Sequence, residues 1–165
     1  MTNDQPEGVC APLVLGVGQP TNGDAYLIVA RELLPAVEVL STADKIPPRG
    51  CALIAGHTLE CTLKAYLWHK GKREELKCKK VRHNIIELWK MAYAEGTLGI
   101  PEDPPNWVRT LSEGHGPNFY LRYQEGQTNT VVHGGATPKL VPMATELCSL
   151  FHQIVHQIEA EFRTF

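Results

Sequence analysis

Three sets of residues in this 165-residue chain have the types and spacing to do chemistry. In WVRTLSEGHG, Arg109 is followed by His115 with five residues between them. A fixed guanidinium can hold a phosphate, while an imidazole titrating near neutrality can take a proton from a hydroxyl or return one to a leaving oxygen. The second set is Glu60, Lys64, His83 and Arg122. Glu60 and Lys64 lie one turn apart on a predicted helix and can pair. The set reads in two ways. One is a polar network that fixes how helices pack, the usual role of polar residues inside a bundle. The other is a pocket for a phosphate or nucleotide, with Lys64, His83 and Arg122 as cationic contacts and Tyr123 as a stacking wall. The third set is the run KGKREELKCKKVRH, residues 70–83, with seven Lys or Arg against two Glu. It can track a phosphate backbone. With few aromatics interleaved, it reads more simply as a solvated connection between helices. His152 and His156 have metal-ligand spacing but flank an apolar stripe, and no carboxylate completes an HExxH pattern. They read as surface histidines, and the sequence predicts no metal site and no cofactor.

The elements that must position these residues are helical. Tyr26, Val29, Ala30, Leu33, Val37 and Leu40 recur at helical spacing and predict a helix over 24–44, capped by Asp24 and kinked at Pro35. Leu53, Ala55, Leu59, Leu63, Tyr66 and Leu67 predict a second over 49–70, stopped by Gly71. Asn84 with Glu87 three residues on opens a third over 84–96. Asn106 caps a short helix from Trp107 to about Glu113. Between Gly114 and Gly135 the glycines, the alternation of Phe119, Leu121 and Tyr123, and β-branched Thr130 to Val132 predict an irregular segment or small hairpin. Met143, Leu147, Leu150, Phe151, Ile154, Ile158 and Phe162 give the most sustained period, a helix over 138–163 with Pro142 in its first turn. The expected fold is all-α, an up-down bundle of four to five helices over 23–165 after a tail at 1–22.

Composition agrees with one globular domain: 43% hydrophobic, 21% charged and a net charge of −2. That balance argues against a generally basic coat while leaving room for a local patch. The longest apolar run, residues 25–30, is far short of a bilayer span, so no membrane association is expected. The N-terminus lacks a signal-peptide pattern. Five cysteines with no CxxC pair suit reduced thiols in a cytoplasm. No phosphate loop, dinucleotide fingerprint or nucleophile elbow occurs.

Taken together, AGHTLECTLKAYL on the second helix, HNIIELWKMA opening the third and FYLRYQ before the last resemble the HEPN family of helical bundles. In the last of these, Gln124 stands where many relatives have proline. The resemblance covers roughly residues 24–162. It implies a bundle of four or five helices, often a homodimer, associated with RNA cleavage, nucleotide chemistry or a nucleotidyltransferase-type partner protein. Many HEPN toxins are metal-independent ribonucleases that use an arginine and a histidine at the spacing of Arg109 and His115. The family sets that pair on a bundle helix facing a dimer cleft, whereas here it lies on a short helix ended by Gly-His-Gly. The expectation drawn is a non-catalytic, dimeric module that binds a nucleotide, RNA or such a partner. The alternative is a metal-independent endoribonuclease of toxin–antitoxin or defence type, with Arg109 and His115 catalytic.

Overall fold

The computed structural model describes residues 23–43, 48–115 and 140–162. All regular structure among them is helical, in six helices: α1 Gly23–Thr42, α2 Pro48–His69, α3 Arg73–Lys77, α4 Ile85–Ala94, α5 Asn106–His115 and α6 Leu140–Phe162. The hairpin expected near 119–132 and the 1–22 tail lie outside the described residues. No helix among the described residues is long and apolar enough to cross a membrane.

α2 is the axis of the fold, and it touches α1, α3, α4, α5 and α6. Ten consecutive residues, from Thr58 to Leu67, are buried, so this helix is enclosed all round rather than on one stripe. Its end is built as expected: Gly71 takes φ +84°, its amide bonds the Trp68 carbonyl at 3.0 Å, and the Lys72 amide bonds the Leu67 carbonyl at 2.9 Å.

α1 runs on as one helix through Pro35. Its buried residues are Gly23, Leu27, Ala30, Leu34 and Val37, with Tyr26, Val29 and Leu40 partly buried beside them. The centre of the stripe is therefore rotated from the sequence expectation, because α1 packs on both α2 and α6. Asp24 does not act as an isolated cap; it sits within the first turn and faces His69 across to α2 at 3.4 Å.

The run at 70–83 is not the plain loop expected. It contains α3, anchored by buried Leu76, which raises the count of helices above the four to five anticipated. α4 opens as predicted, with the Asn84 side chain accepting from the Glu87 amide at 3.3 Å; Glu87 itself turns to Lys90. α5 runs two residues past its expected end, through Gly114 to His115, whose side chain is anchored in the core. The α5 start is held by the Pro105 carbonyl, which accepts from the amides of Val108 and Arg109. Trp89 and Trp107 meet edge to face at 6.4 Å, and their indole N–H groups donate to the Pro101 carbonyl and Glu146. On α6, Met143, Leu147, Leu150, Phe151, Ile154 and Ile158 are buried, as its period requires. Cys51, Cys61, Cys78 and Cys148 are free thiols.

Candidate functional site: a buried carboxylate ringed by nitrogen

The centre of the site is Glu60 on α2, only 3% exposed. A carboxylate at that depth must be matched by donors or give up its charge. Lys64, one turn on, places Nζ 2.5 Å from Oε1. His83, in the turn before α4, places Nδ1 3.1 Å from the same oxygen. His115, the last residue of α5, places Nε2 2.5 Å from Oε2. Burial alone would raise the Glu60 carboxyl, but the hydrogen bonds and charges of His115 and Lys64 override it and lower it to about 2. Glu60 is thus a fixed anion and not a proton donor near neutral pH. Burial pushes the His83 imidazole below its ordinary value, against the pull of Glu60. Lys64 also lies 5.5 Å from the centre of the Tyr26 ring, so its stem and head are enclosed between α1 and α2.

Two further residues complete the arrangement. Gly56, one turn before Glu60, lets α5 come close: a Cβ there would lie 3.2 Å from His115 Cβ and 3.3 Å from its Nδ1. His57 stacks obliquely on His115, with ring centres 6.0 Å apart. Its Nε2 also lies 3.9 Å from the Cys61 thiol, which burial raises to about 12. Neither Gly56 nor His57 was singled out from sequence. Their signal was present in GHTLE, which puts a glycine one turn before the carboxylate and a histidine three residues before it.

The second predicted set therefore assembles in part: Glu60, Lys64 and His83 meet, whereas Arg122 and Tyr123 lie outside the described residues. Lys64 and His83 both make polar contacts to Glu60. The first predicted pair is divided. His115 joins Glu60 in the core, while exposed Arg109 is bound to Asp103 and donates through Nε to the Pro104 carbonyl at 3.0 Å. The two side chains leave α5 on different faces, and within one chain nothing brings them to a common point. In the basic run, Lys70 pairs with Glu161, Lys72 with Glu95 and Lys77 with Glu74, and Arg73 lies 5.0 Å over the Trp68 ring. Lys79, Lys80 and Arg82 are exposed and make no ion pair among the described residues. His152 and His156 are exposed, as expected. A groove of about 450 Å³ between α1 and α6 contains none of the predicted site residues.

Comparison of the chain with protein-family models, with curated proteins and with solved structures returns no match.

Proposed function

We propose that this chain is a non-catalytic, HEPN-like dimeric module that binds single-stranded RNA along the edge formed by Lys77, Lys79, Lys80 and Arg82. The observation that carries the reading is the division of labour within the basic run. Lys70, Lys72 and Arg73 are engaged by Glu161, Glu95 and Trp68, which leaves Lys79, Lys80 and Arg82 exposed at the end of the run, with Lys77 beside them on the exposed carboxylate of Glu74. The tip is a built turn: the Val81 and Arg82 amides both bond the Cys78 carbonyl at 2.9 Å, and the Asn84 amide bonds the Val81 carbonyl at 2.9 Å. Leu76 and Val81 pack beneath it. Cations held on a fixed backbone lose less freedom on meeting a phosphate chain than those on a loose loop. The buried alternative, a nucleotide pocket around Lys64 and His83, has both side chains already turned to Glu60. The up-down order of the bundle rests on the short connections between helices and the dimer on the family resemblance, and light scattering on the purified chain measures the latter.

Filter binding of single-stranded RNA at two salt concentrations tests the reading. An edge engaging about four phosphates loses more than about tenfold in affinity over a fourfold rise in salt. Charge reversal at Lys77, Lys79 and Lys80 removes most of the binding and leaves the helical signal unchanged. Binding with a shallow salt dependence that vanishes in Arg122→Ala would transfer the function to a nucleotide pocket. Failure of the wild type to bind RNA or nucleotide at millimolar concentration would transfer it to a protein partner.

A further inference from the structure

Glu60, His57 and His115 do something that hydrogen bonding alone does not require. Each offers one ligand atom, and the three atoms lie within 4.8 Å of one another, the one such convergence of three ligating side chains among the described residues. His57 and Glu60 come from the same face of α2, three residues apart, and His115 comes from the end of α5. We propose that these three residues form a site for a first-row divalent cation of the Zn²⁺ class, which ties α2 to α5.

Two imidazoles and a carboxylate are a donor set such ions accept, with a coordination position left for water. The two Glu60 oxygens are already divided. Oε1 holds Lys64 and is nearer His83, while Oε2 faces His115. His83 thereby fixes the carboxylate from behind, as the supporting partners of metal ligands do. His115 is buried, and its Nδ1 has no hydrogen-bond partner among the described residues. Four-coordinate binding at about 2.0–2.1 Å sets ligand atoms roughly 3.3 Å apart, so the group must close slightly. His57, half-buried at the edge of the cluster, supplies the third donor. Gly56 already removes the Cβ that would hold α5 away.

Lys64 opposes the site. Its ammonium competes with an incoming cation for Glu60 and repels it across a poorly solvated interior. This gives the proposal an unusual signature, since removing a positive charge from the core should tighten metal binding.

The test uses the full chain, stripped with chelator and titrated with Co²⁺ as a spectroscopic stand-in for Zn²⁺. The expected result is about one Co²⁺ per chain, with visible absorption of a low-coordinate ion that Zn²⁺ displaces, and a rise in melting temperature on adding Zn²⁺. His57→Ala, at a half-buried position, should keep the helical signal and weaken binding about tenfold or more. Lys64→Met should strengthen it. His152→Ala with His156→Ala, which removes the exposed pair at metal-ligand spacing, should change nothing. The site is overturned if the wild type takes up no Co²⁺ at tenfold excess, if folded His57→Ala binds as well as wild type, or if the His152 and His156 variant is the one that loses binding. None of these readouts depends on RNA, so the site and the basic edge fail or stand separately.

Discussion

His115 closes α5 by setting its Nε2 2.5 Å from Oε2 of Glu60, a residue 55 positions earlier on α2. This contact, with the Lys64 pair on the other oxygen, makes Glu60 a buried ion whose partners come from more than one element. Removing one member of a buried pair strands the other. Glu60→Gln should therefore cost about 3–5 kcal/mol in denaturant melts. Glu60→Leu combined with Lys64→Met should recover most of that loss, because an apolar pair of similar volume suits the same space. A double-mutant cycle reads the coupling directly. Additive losses at the two positions would show that the pair is not coupled.

The same carboxylate fixes a pH dependence. Its value is lowered from the ordinary 4.5 to about 2 in the fold. In that window the unfolded chain binds a proton that the folded chain refuses. Stability from this group is complete above pH 4.5 and is lost as pH falls toward 2, in total about 3 kcal/mol. His83, lowered from 6.5, acts in the same direction at higher pH, because the unfolded chain again takes the proton first. Stability should rise with pH through the acid range, and Glu60→Gln should flatten the lower part of that rise. Identical pH profiles for wild type and Glu60→Gln would mean that Glu60 titrates alike in both states.

At Gly56 the end of α5 lies close against α2. In an exposed helix, Gly→Ala gains about 1 kcal/mol. Here the new methyl would press on His115 Cβ and Cγ at 3.2 and 3.3 Å, and His115 is pinned by Glu60. Gly56→Ala should therefore destabilise by roughly 1–3 kcal/mol, as overpacking does. A stabilised Gly56→Ala variant would show that α5 yields freely.

On α6 the two sides of one helix separate cleanly. Leu147 and Ile154 are 0% exposed, whereas His152 faces solvent and donates locally to the Cys148 carbonyl at 2.9 Å. Leu147→Ala and Ile154→Ala should each cost roughly 2–5 kcal/mol, and His152→Ala should stay within about 0.5 kcal/mol. Equal losses at all three positions would mean the helix is rotated about its axis.

These contrasts also explain what could be read from the chain before its structure. α6 was legible because one face meets the core and the other meets water, so burial is written as a period. α4 was legible through Asn84, whose side chain serves the Glu87 amide as its spacing suggested. α2 was harder: a helix enclosed on every side has no polar face, so its pattern shows a helix without showing that it is central. On α1 the stripe was displaced because two neighbours divide it, and Leu34 rather than Leu33 is buried. Within the site, Glu60 and Lys64 could be joined from sequence because the pair is local. The partnership of Glu60 with His115 could not, since spacing ties His115 to Arg109, whereas tertiary packing takes His115 inward and leaves Arg109 with Asp103.

That separation sets the expectation for cleavage. A metal-independent ribonuclease needs an accessible imidazole and a guanidinium directed at the same phosphate. The His115 side chain is fully enclosed, and the Arg109 guanidinium is bound to Asp103 with its Nε on the Pro104 carbonyl. Purified protein should therefore leave RNA intact while still binding it. Arg109→Ala, which removes only an exposed ion pair and one hydrogen bond to a loop carbonyl, should shift stability by no more than about 1 kcal/mol. His115→Ala should instead destabilise clearly, because it deprives Glu60 of a partner and empties the space above Gly56. The endoribonuclease alternative makes the opposite forecast: cleavage that persists in chelator and disappears in both Arg109→Ala and His115→Ala. For His115→Ala, loss of cleavage counts only if the variant remains folded, so Arg109→Ala is the deciding substitution. RNA cut by the wild type in chelator, and left whole by a fully stable Arg109→Ala, would replace the binding-module reading with the catalytic one.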